Sequence, residues 1–122
     1  MPTDPLPQLR KLCLALPEAT EKEAWGQPTF RVRNKMFAMY SQNHHGDGII
    51  AVHCKAEPGV QDMLIQTDPT RFYKPPYVGP SGWIGVRLDT AVDWDELQDF
   101  LEDSYRLVAP RKLAALLDPS AP

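Results

Sequence analysis

The apolar residues of this chain change their period twice, and few folds accommodate that order. Near the start, Leu6, Leu9, Leu12, Cys13 and Leu16 recur at the three-and-four spacing of a helix. Between Glu21 and Leu88 the spacing shortens to two, in runs over 21–25, 29–32, 35–40, 49–55 and 82–88. The helical period then returns, with Leu97, Phe100, Leu101, Ser104, Tyr105 and Val108 on one stripe. Helix, consecutive strands, helix is the order of an α+β domain: an antiparallel sheet of about five strands with the N- and C-terminal helices packed on one face.

Turn and cap residues punctuate those segments. Asp4 is placed to cap the first helix, with Pro5 or Pro7 in its first turn and Pro17 as its stop. Arg33-Asn34 reads as a tight hairpin link, and 43–48 as a longer loop between strands. Pro58 opens a short helix that turns Val60, Met63 and Leu64 to the core, and Asp68-Pro69 ends it. The segment 72–82, dense in proline, glycine and tyrosine, reads as an ordered loop packed by its own aromatics. Asp93-Trp94-Asp95-Glu96 has the form of a capping box. Pro110 interrupts the long helix, a turn or two continues to Leu117, and the proline-rich tail frays. One domain spans 1–122, with its core over about 6–117.

Successive strand residues point to opposite faces, so parity sorts the side chains. Phe30, Val32, Ile50, Val52, Cys54, Ile84, Val86 and Leu88 go to the helices. Thr29, Arg31, Arg33, Ile49, Ala51, His53, Lys55, Trp83, Gly85 and Arg87 go to the other face, which the helices leave open.

Composition bounds the function. The chain has 122 residues, 43% of them hydrophobic, enough for a single core. It lacks an apolar run of membrane-spanning length and a basic-then-apolar leader, so the expectation is a cytoplasmic protein with no membrane partner. Cys13 and Cys54 are expected as reduced, half-buried thiols. The net charge of −3 is uneven: residues 31–87 hold seven basic and four acidic side chains, and residues 88–122 hold three and eight. A strong non-specific polyanion binder is disfavoured, yet the middle can present a local positive face.

The order Leu16-Pro17-Glu18, Trp25-Gly26-x-Pro28-x-Phe30-x-Val32, Lys35-x-Phe37-Ala38, Tyr77-x-Gly79, Gly82-Trp83, then Val92-Asp93-Trp94 ahead of Ser104-Tyr105, resembles the MmcQ/YjbR family across residues 9–113. The resemblance implies a frataxin-like, double-wing α+β fold and a predicted DNA-binding role, the latter itself inferred from fold.

Several residues qualify as sites. Arg31, Arg33, Lys35, Lys55, Arg71, Lys74 and Arg87 would suit phosphates, with the indole of Trp83 for stacking; the plainer reading is a solvated face. Tyr73, Tyr77 and Trp83 could grip an apolar partner, or Trp83 could simply pack beside Trp25. His44, His45, Asp47 and His53 invite a metal, but no established zinc spacing is present and a polar loop explains them. Ser41 and Ser104 lack a nucleophile elbow, and Ser104 on the helix stripe suits a hydrogen bond to backbone. The acids from Asp89 to Asp103 are explained by the helix dipole, and Gly46-x-Gly48 is not a phosphate loop. No catalytic machinery or cofactor site emerges. The expectation is a non-enzymatic binding module that holds DNA on a basic, Trp-containing sheet face; the alternative is a protein-interaction or small-ligand module using the aromatic loop 72–83. The oligomeric state is left open.

Overall fold

In the computed structural model, which describes residues 4–43, 46 and 48–117, the element order follows the sequence pattern with one addition. Helix α1 spans Leu6–Leu14 and buries Leu9 and Cys13. Pro5, not Asp4, is the N-cap residue, but the carboxylate of Asp4 just ahead of it still accepts the Leu6 N–H at 3.0 Å. Strands β1 (Ala19–Ala24), β2 (Gln27–Val32), β3 (Lys35–Gln42) and β4 (Ile50–Lys55) follow as a meander. Helix α2 (Val60–Thr67), a two-residue strand β5 (Phe72–Tyr73) and β6 (Trp83–Arg87) come next. Helix α3 (Trp94–Val108) and the short α4 (Arg111–Ala114), set apart by Pro110, close the described chain.

The sheet has six antiparallel strands in the order β1-β2-β3-β4-β6-β5. The addition is β5: Phe72 and Tyr73 pair with Val86 and Gly85 at the sheet edge, although this segment reads as loop. Two residues are too few for a period-two signal to register.

Both tight hairpins turn through left-handed backbone. Arg33 and Asn34 have φ of 50° and 64°, and Trp25 and Gly26 have φ of 54° and 76°. Positive φ at both central residues is what a type I′ turn requires, because its twist matches the flanking strands. Between Phe30 and Arg31 the β2–β3 register shifts, leaving Phe37 as the extra residue. Phe37 and Ala38 therefore both face the helices, and Met36 and Met39 both face away.

Parity is correct for the helix side. Phe30, Val32, Val52, Cys54, Ile84, Val86 and Leu88 are buried with Leu9, Leu97, Leu101 and Tyr105, and Ile50 packs against them. Asp93 caps α3 by accepting the N–H groups of Asp95 and Glu96, both at 3.1 Å. The capping box is only half made, since the Glu96 carboxylate turns instead to Arg71 at 2.8 Å. Ser104 does what its place on the stripe suggests. Its hydroxyl donates to the Phe37 carbonyl at 2.6 Å and accepts the Lys55 N–H at 2.8 Å, tying the bulge of β3 to the end of β4. Met63, expected inward, is exposed, and α2 sets Val60, Leu64 and Ile65 half-buried. Cys13 and Cys54 are free, buried thiols. Among the described residues no helix is long and apolar enough to cross a membrane.

The other face is not open, contrary to the expectation that the helices leave it bare. Thr29, Met39, Ser41, Ala51, His53 and Trp83 are buried on it, and residues 74–82 return over it as a strap whose Pro76, Tyr77 and Val78 lie by Met36, Met39 and His53. Those buried residues lie outside the main core cluster.

Candidate functional site

The cross-strand register aligns one row of side chains over the whole strapped face. Lys22 lies opposite Thr29, Thr29 opposite Met39, Met39 opposite His53, His53 opposite Gly85, and Gly85 opposite Tyr73. Directly opposed residues share a face, so these six form a continuous line across six strands. Gly85 gives the line its shape. A Cβ added there would fall 2.5 Å from the Tyr73 ring, so only glycine lets that ring lie against the strand. Held in this way, the Tyr73 hydroxyl meets His53 Nε2 at 2.6 Å, with the two rings edge to face.

Tyr73 also launches the strap. Pro75 is fully buried, the Gly79 N–H reaches the Pro75 carbonyl at 2.9 Å, and Gly79–Ser81 forms a single 3-10 turn. Helix α2 fastens the strap from the side. The Gln61 amide donates to the Gly79 carbonyl at 2.8 Å and to the Trp83 carbonyl at 2.5 Å.

Where the strap crosses the row, a half-open cavity of about 440 Å³ remains. Its floor is Met36, Met39 and His53, and the strap supplies Pro76, Tyr77 and Val78. Trp25, from the β1–β2 turn, completes the lining. The two aromatic walls have unusual backbones and unusual exposure. Trp25 is 66% exposed with φ of 54°, and Tyr77 is 85% exposed with φ of 65°. Left-handed backbone costs an L-residue about 1–2 kcal/mol, and bulky residues seldom adopt it. Two large, exposed aromatics with this backbone thus line one cavity. Strained residues of that kind cluster at binding and clamp sites.

The residues singled out from sequence divide sharply. Tyr77 lines the cavity, and Tyr73 lies against its floor residue His53. Trp83 does not: it is only 8% exposed, which removes it as a stacking platform for bases, and it does not pack as a core partner of the exposed Trp25. The basic set is dispersed. Arg33 forks onto Glu18 at 2.8 and 3.2 Å, Arg87 forks onto Asp89 with both contacts at 2.9 Å, and Arg71 bridges Asp68 and Glu96. Arg33 holds the Glu18 carboxyl below its usual range, and Arg87 does the same for Asp89. Among the described residues Arg31 contacts neutral oxygens only, those of Thr29 and Asn34. Lys35 and Lys74 are exposed and Lys55 is half-buried.

His44, His45 and Asp47 lie outside the described residues. Among the described residues no three metal-ligating side chains gather. Four acids at the start of α3 or within it are cap or ion-pair partners: Asp93 on the helix end, Glu96 with Arg71, and Glu102 and Asp103 with Arg106.

Sequence reasoning missed Trp25, Met36, Met39, Pro76 and Val78 as cavity residues. One signal was available: Trp25-Gly26 occupies a two-residue hairpin link where asparagine or aspartate before glycine is the favoured choice.

Comparison with known proteins gives a family and a fold. The YjbR family model matches residues 14–107. The crystal structure of the Deinococcus radiodurans protein DR2400, a DUF419 domain, superposes with a TM-score of 0.71 at 24% identity, over 84% of this chain and 76% of that one. At that identity the likeness is one of fold. No curated protein matches the chain.

Proposed function

The chain belongs to the YjbR family, and from that premise we propose that it is a non-enzymatic binding module whose strapped face captures a small, flat apolar ligand between Trp25 and Tyr77. The observation that carries this reading is the half-open cavity of about 440 Å³ with two exposed aromatics in left-handed backbone as its walls. Ligand sites run to roughly 300–1,000 Å³, apolar in lining with a few fixed polar groups. Here the floor is two methionines, whose flexible thioethers adapt to aromatic surfaces, and the polar group is the His53–Tyr73 pair.

Duplex DNA is less well served. The stacking residue expected for it is buried, and three of the four arginines expected to meet phosphates already hold carboxylates. A groove for a phosphate backbone needs cations free to exchange counterions for phosphates.

The test uses naphthalene-2-carboxamide, a neutral flat probe, titrated into isotopically labelled protein and followed at the Trp25 indole N–H. Saturable shifts that vanish in Trp25→Ala and persist in Arg33→Gln are expected. Absence of binding to this and similar neutral bicyclic probes, together with salt-steep binding of a short DNA duplex, would overturn the reading in favour of nucleic acid.

A further inference from the structure

The strapped face carries a charge bias that a purely apolar ligand would leave unused. By register, its strand residues include Lys22, Arg31, Lys55 and Arg87 and no aspartate or glutamate. The helix side of β1 differs, with Glu21 lying opposite the core residue Phe30. The positive charge thus sits on the face that holds the cavity.

Within that bias Arg31 stands apart from the other arginines of the sheet and its turns. Arg33 and Arg87 are each forked onto a carboxylate, and among the described residues Arg31 has no acidic partner. It is half-buried and lies directly opposite Met36, a floor residue of the cavity. Its orientation is fixed from behind. The Thr29 hydroxyl spends its hydrogen on the Lys22 carbonyl and so presents a lone pair to Arg31 Nε, which donates to it at 3.1 Å. Nη1 makes one long contact, 3.4 Å to the Asn34 carbonyl. Of the five N–H groups of a guanidinium, the rest are without a protein acceptor among the described residues. A half-buried cation without a counter-charge favours binding an anion, and a planar fork matches a planar carboxylate best.

We infer that the cavity's ligand is an aromatic carboxylic acid, its ring between Trp25 and Tyr77 over Met36 and Met39 and its carboxylate on Arg31. The inference rests on the pocket reading above and narrows it. A single fork rather than a cluster of cations suits one carboxylate in place of a phosphate, which would draw on several positive groups at once.

The experiment compares naphthalene-2-carboxylate with naphthalene-2-carboxamide by calorimetry on the full chain. The pair has the same ring system, so the difference isolates the charge. The acid is expected to bind at least about tenfold tighter, the worth of hydrogen bonds to a charged group. Arg31→Gln should bring the acid down to the affinity of the amide and leave the amide unchanged. Arg31→Lys should recover part of the loss, and Arg33→Gln, on an arginine already paired with Glu18, should change neither probe. Equal affinity of the two probes for the native protein, or a loss in Arg31→Gln shared equally by both, overturns the carboxylate inference and leaves the pocket standing. Failure of both probes to bind the native protein removes pocket and carboxylate together. The native-protein comparison decides the matter even should a variant fold poorly.

Discussion

The two faces of this one sheet are covered by different means. On one side α1 and α3 bring long apolar stripes onto Phe30, Val52, Ile84 and their neighbours, and the result is a filled core around Tyr105. The few polar groups there are satisfied: Ser104 bridges two strands, and the Tyr105 hydroxyl donates to the Pro17 carbonyl at 2.6 Å. On the other side a single irregular strap lies over Met39, His53 and Trp83, held by a glycine notch and one glutamine. It leaves a cavity. A helix presents a continuous stripe and fills the surface it covers, whereas a proline-rich strap touches at points. Stability is therefore concentrated on the helix face, and the binding we propose on the strapped face.

That division can be broken by mutation, and the largest effect belongs to the core. Leu101→Ala, at a fully buried position beneath α3, should cost about 2–5 kcal/mol in urea denaturation. Its affinity for naphthalene-2-carboxamide should not change under folding conditions. Parallel loss of affinity would mean that the two faces are not separable.

Gly85→Ala should come next. The added methyl group meets the Tyr73 ring and must displace it, at about 1–3 kcal/mol for overpacking. Here probe affinity should fall as well, because Tyr73 anchors both His53 and the start of the strap. A variant of native stability and affinity would show that the notch does not position the site.

Trp25→Asn sharpens the comparison because its two effects have opposite sign. Asparagine tolerates left-handed backbone far better than tryptophan, so the hairpin should gain up to about 1 kcal/mol. Probe binding should disappear with the indole wall. A destabilised variant would mean that Trp25 contributes packing that its exposure conceals.

The smallest effect concerns acid. The Arg87 guanidinium holds the Asp89 carboxyl below its usual range, so this carboxylate stabilises the fold above the ordinary aspartate pKa. The contribution is lost as the pH falls through the depressed folded value. Asp89→Asn should remove that part of the acid limb, by no more than roughly 0.5 kcal/mol for a pair near solvent. An unchanged acid titration of stability would show that the pair contributes nothing.

The helix face was legible because burial there obeys period. Leu97, Leu101, Ser104 and Tyr105 fall where a 3.6-residue repeat places them, and the parity of β2, β4 and β6 names their partners. The strapped face was legible only by elimination. Parity assigned Thr29, Ala51, His53 and Trp83 to it correctly, yet it cannot say what covers a face when the cover has no repeat. Segment 72–82 reads as ordered and self-packed, but its course across the sheet depends on Gly85 accepting Tyr73, a contact between positions that no local pattern links. The cavity needed a second non-local fact, the β2–β3 bulge, which turns Met36 and Met39 to the same side despite their odd spacing. The pairing of the basic set was hidden for a related reason. Charge counting finds cations, and only the fold reveals that Glu18, Asp89 and Glu96 have already taken three of them.

The most direct test of a binding site on the strapped face is a map of where naphthalene-2-carboxamide perturbs the amide and indole resonances of the folded protein. Shifts confined to Trp25, Met36, Met39, His53 and the strap from Tyr73 to Val78 are predicted, with α1 and α3 unmoved. Shifts centred on the helix face, or none at saturating probe, would contradict it.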